Sequence, residues 1–297
     1  MPPKTPDPLT SIRSLMPALS IGQCATLACL LEATAPKVGN VHRGADFENL
    51  TFADFVASAV AIGPAMQNAK TTGVGVGVLE AIKATRQLVD TNTNLGMVLL
   101  LAPLAAVPRE VPLGTGIANV LHGLTANDCR LVYEAIRLAQ PGGMGKVEEM
   151  DVAAKEAPSD LLVAMSAAAE RDLVAQQYVT DFNLVLTKVA PWLIEAASRW
   201  SLTDAIIHTH LRLLAEYPDS LIARKCGQEL AQEFSTYAAA VLASGSPGED
   251  SYHEAASDLD FFLRSDGHRR NPGTTADLVA AGLFTLLRDG KLRPPLR

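Results

Sequence analysis

Aromatic residues make up only 5% of this 297-residue chain, and charged residues only 19%. Strand-rich folds draw on aromatic and β-branched side chains, so the scarcity of aromatics speaks against a sandwich or barrel. No alternating apolar–polar pattern persists, and no repeat of about 20–50 residues marks a solenoid. Basic residues are in deficit: 25 Lys and Arg against 32 Asp and Glu leave a net charge of −7. Binders of nucleic acid or of anionic membranes usually carry a basic stripe, so neither partner is expected. Only four cysteines occur (Cys24, Cys29, Cys129 and Cys226), and none forms a CxxC pair. That excludes zinc-ribbon spacing and a dithiol redox motif, and scattered thiols fit a reducing cytoplasm. The longest apolar run, Met97 to Val107, has 11 residues and contains Pro103. A spanning helix needs about 18 or more. The stretch from Leu15 to Leu31 is interrupted by Gln23 and runs on into Glu32, so it reads as a helix rather than a leader.

What the chain has in quantity is Ala and Leu, 45 and 40 residues. Both are strong helix formers, and a hydrophobic content of 48% is enough for a real core. We expect an all-α protein with one large domain over residues 11–290. Its helices, about ten to thirteen by periodicity, should surround a central polar cleft. Residues 1–10, with four prolines, and residues 291–297 read as tails, and the weakly patterned 141–160 reads as a lid or excursion. Helical spacing covers 11–35, 51–69, 78–89, 97–106, 113–121, 125–140 and a broken 159–197, then 201–216, 219–243, 251–264 and 274–289.

Three polar stretches interrupt the helices. The first, residues 36–50, gathers Lys37, Gly39, His42, Arg43 and Asp46. Lys and Arg suit phosphate oxygens, Asp suits Mg²⁺ beside a substrate phosphate, and His suits a general base. The plain alternative is a solvated loop; on the functional reading Lys37 and Arg43 stand exposed in a cleft. The second stretch holds Asp90, Asn92 and Asn94. Asn side chains offer both donor and acceptor to a base or ribose, but Asn94 also serves as an ordinary N-cap. The third, His268 to Leu278, places Arg269, Arg270, Asn271, Gly273, Thr274 and Thr275 at a helix entrance. Such an entrance attracts phosphate, and Thr274 with Asp277 also spells a capping box. Arg224, just past an Asp219 cap, has no evident structural task. Gly73, Gly75 and Gly77 lack the βαβ setting of a nucleotide fingerprint. His208 and His210 are two apart on a helix and do not share a face, as a zinc pair would.

Several of these stretches stand in the order seen in one family. Glu32 precedes Pro36-Lys37-Val38-Gly39; Val41-His42-Arg43 follows; Asn92-Thr93-Asn94-Leu95-Gly96 comes later. Then come Asp219-Ser220-Leu221 with Arg224, and Asn271-Pro272-Gly273-Thr274-Thr275-Ala276-Asp277-Leu278. The chain resembles the triphosphoribosyl-dephospho-CoA synthase family over residues 20–290 in outline. It departs from the family where Asn94-Leu95 replaces His-Lys and Leu221 replaces Asn.

The resemblance implies an all-α transferase using ATP with Mg²⁺. The ribose 2′-hydroxyl of 3′-dephospho-CoA would attack C1 of the ATP ribose, adenine would leave, and the triphosphate would be retained. It further implies that Lys37, Gly39, Arg43, Asn94, Arg224, Arg270, Asn271, Gly273, Thr274 and Thr275 handle substrate and phosphate. Glu32, Asp46 and Asp277 would hold the metal, and His42, Asp46 and Asn92 would carry the chemistry. Two other readings stay open: the same fold serving a different acceptor in another cofactor pathway, and a non-catalytic helical binding protein. A homodimer is compatible with all three.

Overall fold

The structure, a computed structural model, describes residues 18–142, 158–294 and 296. The expected 1–10 tail and most of the expected 141–160 excursion lie outside these residues. The described part is helical, with slightly more helices than expected and no sheet. A four-residue extended stretch, Ser265–His268, follows one of the helices. Among the described residues no helix is long and apolar enough to cross a membrane.

Of the helix expected over 11–35, residues 11–17 lie outside the described residues; the described helix α1 (Ile21–Thr34) opens on a reciprocal capping box of Ser20 and Gln23. The loop after it leads to α2 (Phe52–Ala61), capped by Thr51 and Asp54. The single helix expected over 51–69 is broken at Ile62, since Pro64 opens α3 (Gly63–Thr72) as a new helix. Helix α4 (Val74–Arg86) starts ahead of its expected position: Gly73 takes a φ of 91° just before it, and Gly75 lies inside it. A Cβ on Gly75 would sit 2.5 Å from the Asp128 Cα, so this glycine serves close packing. Asp128 belongs to α7 (Ala126–Ala139), which follows α6 (Leu113–His122).

Two helices are buried on nearly every side: α5 (Leu95–Ala106), which contains Pro103, and the last helix (Gly273–Arg288). A helix apolar all round must lie inside the fold, and these two pack on each other and on α1. The expected broken helix over 159–197 resolves into α8 (Leu161–Ala168), α9 (Leu173–Val179), a π-turn at Val185–Val189 and α10 (Ala190–Ala197). Helix α11 (Leu202–Glu216) follows. The helix expected over 219–243 splits into α12 (Ser220–Cys226) and α13 (Gln228–Ser244) at Gly227, whose φ is 98°. With α14 (Asp250–Arg264), helices α11 and α13 enclose a second, smaller apolar cluster. The final helix, α15 (Gly273–Arg288), returns to the centre of the main core.

Candidate functional site

A cleft of about 470 Å³ opens where the N-terminal ends of α5, α9, α12 and α15 converge. A smaller cavity of about 90 Å³ continues it inward toward Glu32 and Asn94. The two share Leu50, Asn92, Leu95, Gly96, Leu221, Asn271 and Asp277 as walls. The lining of the main cleft includes an apolar set, Leu99, Tyr133, Ile136, Leu161 and Met165. It also includes the polar groups Arg171, Arg224, Lys225 and His268. The cleft thus combines apolar walls with a few cationic groups, as binding pockets do.

The polar part of the lining is built by caps and long-range bonds. Asp219 accepts from the Leu221 and Ile222 amides at 2.8 and 3.0 Å, starting α12. Its other oxygen accepts from the Thr275 amide and hydroxyl at 2.7 and 2.8 Å, so one buried carboxylate ties α12 to α15. The expected Thr274–Asp277 capping box does not form: α15 has no cap from its own N-cap residue, and Asp219 supplies an acceptor from another helix. The Thr274 hydroxyl accepts from Ser220 at 3.0 Å. Lys225 donates to Asn271 Oδ1 at 3.1 Å and to the His268 carbonyl at 3.3 Å. Burial lowers the Lys225 ammonium below the usual lysine range, and burial likewise lowers the His268 imidazole. Arg224 pairs with Asp172, and both line the cleft. At α5, Asn92 Oδ1 accepts from the Leu95 amide at 3.1 Å, so Asn92, not Asn94, supplies the side-chain cap. Asn94 is buried and donates to Thr85 at 3.0 Å.

Asp277 stands at the junction of the two cavities. No hydrogen bond or ion pair reaches its carboxyl among the described residues. Burial pushes it well above the usual carboxylate range, and Glu32, Asp219 and Asp172 push the same way against Arg224.

The structure therefore brings together Asn92, Asn94, Arg224, Asn271, Gly273, Thr274 and Asp277, with Glu32 at the inner end. It does not bring the other expected residues there. Lys37, expected to be exposed, has no solvent-accessible surface. Its ammonium lies 2.8 Å from Glu32 Oε1 and donates to the carbonyls of Glu32 and Ala35. Those contacts use all three of its protons and leave none for a phosphate. Gly39, at φ 72°, packs against Leu263 and Pro272 and donates to Asp260 Oδ1 at 2.7 Å. His42 faces a separate cavity of about 350 Å³ with Tyr252, His253 and Asp260. Arg43 is exposed and lines no part of the cleft. Asp46 is exposed and accepts from the Phe52 amide at 2.6 Å. Arg270 braces the turn before α15 through Ser265 and the Phe262 carbonyl. Thr275 is buried and committed to Asp219.

The three expected metal carboxylates accordingly do not meet. Glu32 is paired, Asp46 caps a helix at the surface, and only Asp277 faces the cleft unpartnered. Among the described residues no group of three His, Cys, Asp or Glu is placed to hold a metal ion. These residues do not fit a metal centre preformed by the protein.

Arg171, Asp172, Tyr133 and Lys225 line the cleft without having been picked out by sequence reasoning. Lys225 sits one residue after Arg224, which was singled out; the pair of adjacent cations was the available signal. Asp172 and Arg171 carry no motif.

The family model described as ATP:dephospho-CoA triphosphoribosyl transferase matches residues 18–294. No curated protein matches the chain. Among solved structures, the chain is similar to a crystallised Archaeoglobus fulgidus protein described as a triphosphoribosyl-dephospho-CoA synthase. The two share 29% identity at a TM-score of 0.61, over 79% of this chain and 99% of that one.

Proposed function

Because the chain belongs to the ATP:dephospho-CoA triphosphoribosyl transferase family, we propose that it transfers a triphosphoribosyl group from ATP to dephospho-CoA and releases adenine. The observation that carries this reading is the mixed cationic and apolar lining of the cleft. Arg171, Arg224 and Lys225 suit a triphosphate, while Leu99, Tyr133, Ile136 and Met165 suit a purine. Asn92 and Asn271, also on its walls, suit ribose hydroxyls.

The reaction breaks the bond from ribose C1 to adenine N9 and forms one from C1 to the acceptor oxygen. Charge develops on the ribose ring as adenine departs, so the site needs a proton donor for adenine and an acceptor for the hydroxyl proton. An apolar wall beside the reacting carbon would keep water from intercepting it. Magnesium belongs to this reading only as the counter-ion that a triphosphate brings with it.

A second reading keeps ATP as donor and changes the acceptor alcohol. It is favoured by Leu95 and Leu221, which line the cleft where the resemblance expects Lys and Asn. An acceptor bearing fewer anionic groups would suit that wall better. Incubation with ATP, Mg²⁺ and 3′-dephospho-CoA, with free adenine followed by chromatography, separates the two. Adenine formed only with dephospho-CoA supports the first reading. No adenine, with ATP still raising the melting temperature, supports the second. Neither adenine nor a thermal shift defeats both.

A further inference from the structure

We propose that Asp277 is the general acid that delivers a proton to the departing purine in the cleft. The inference rests on the reading of ATP as donor and adds to it a residue with a defined chemical step. Asp277 lines both the main cleft and the inner cavity, so its carboxyl stands where they meet. Space is cleared for it: a Cβ on Gly96 would lie 1.9 Å from Asp277 Oδ2. The glycine in the first turn of α5 thus lets the carboxyl lie directly over that turn.

The other acids near the cleft are committed. Glu32 is held by Lys37, Asp172 by Arg224, and Asp219 by four donors at two helix ends. His42 faces the separate cavity, and Asp46 is outside the cleft. His268 lines the cleft, but burial and Lys225 favour its neutral form, which suits an acceptor of protons rather than a donor.

The charged and titratable groups acting on Asp277 are Cys29 and Glu32 on α1, Asp172 ahead of α9, Asp219 ahead of α12, and Arg224 on α12. Three of these are carboxyl groups, and the one guanidinium is turned to Asp172. Burial and these carboxyls raise the Asp277 carboxyl above the usual aspartate range. As the C1–N9 bond breaks, its electron pair passes to the purine, and the Asp277 proton moves to a purine ring nitrogen. The acceptor oxygen bonds to C1 and gives its own proton to water; the purine leaves neutral with the Asp277 proton, and the carboxylate regains one from water.

The test uses the full chain, wild type and Asp277→Asn, with two donors: ATP, and a ribose 5-triphosphate bearing 4-nitrophenolate at C1. Nitrophenolate leaves without a proton. We expect the variant to lose about 10²- to 10⁴-fold in kcat with ATP, to bind ATP as before, and to release nitrophenolate at close to the wild-type rate. The kcat–pH profile should lose its alkaline limb. Equal losses with both donors, or a loss that appears in ATP binding, would overturn the proposal. Wild-type adenine release separately decides the ATP reading. An infrared difference spectrum of wild type against the variant, taken at a pH just above the usual aspartate range, needs no turnover. A protonated-carboxyl band belonging to Asp277 is expected, and its absence overturns the proposal whatever the activity.

Discussion

Lys37 and Glu32 face each other 2.8 Å apart, and neither reaches solvent: their exposures are 0% and 2%. The ammonium also donates to the carbonyls of Glu32 and Ala35, which ties the end of α1 to the loop that leaves it. Breaking one side of such a pair leaves a buried charge and costs about 3–5 kcal/mol. Lys37→Ala should therefore lose stability of that order in urea denaturation. Lys37→Met combined with Glu32→Leu should recover much of it. A Lys37→Ala protein of unchanged stability would show that the ion pair is not structural.

Asp219 links two helix starts. Each cap is worth about 1 kcal/mol, so Asp219→Ala should cost about 2 kcal/mol or more, and hydrogen exchange should accelerate at the first turns of both α12 and α15. Acceleration confined to α12 would mean that the bonds to Thr275 contribute little.

Asp277 predicts a pH dependence of stability. Its folded-state pKa is raised, chiefly by burial and then by Glu32, so the native state holds a proton that the unfolded chain releases near pH 3.8. That favourable term is fully present below the unfolded pKa and is lost as pH rises through the folded one. Asn mimics the protonated form without titrating. Asp277→Asn should therefore be more stable than wild type at neutral pH, with the gap closing in acid. Denaturation midpoints compared at acidic and neutral pH check this, and a gap that widens toward low pH would contradict it.

Two cations should behave oppositely. Lys225 lines the cleft, while Arg43 is exposed outside it. A hydrogen bond to a charged group is worth about 1.5–3 kcal/mol, so Lys225→Ala should weaken ATP binding by about tenfold or more in calorimetry. Arg43→Ala should leave it unchanged. The reverse pattern would move the phosphate site back to the 36–43 loop.

The helical class was legible because Ala, Leu and the 3.6-residue period act through near neighbours. Caps such as Thr51 with Asp54 and Ser201 with Asp204 likewise join residues three apart in the chain. Errors came where a distant partner intervened. The capping box read at Thr274 and Asp277 gave way to Asp219, 56 residues from Thr275. The loop glycine Gly39, read as a phosphate contact, meets Asp260, 221 residues away.

The sequence by itself determined that the chain is helical, where its polar loops fall, and which family it resembles. Each rests on short-range chemistry written in consecutive residues. Which charges face the cleft was decided by tertiary structure alone. Lys37 and Lys225 are both lysines in polar stretches, but packing encloses one against Glu32 and turns the other toward the cavity. Burial and partner choice depend on helices brought together from across the chain, and no local pattern specifies them.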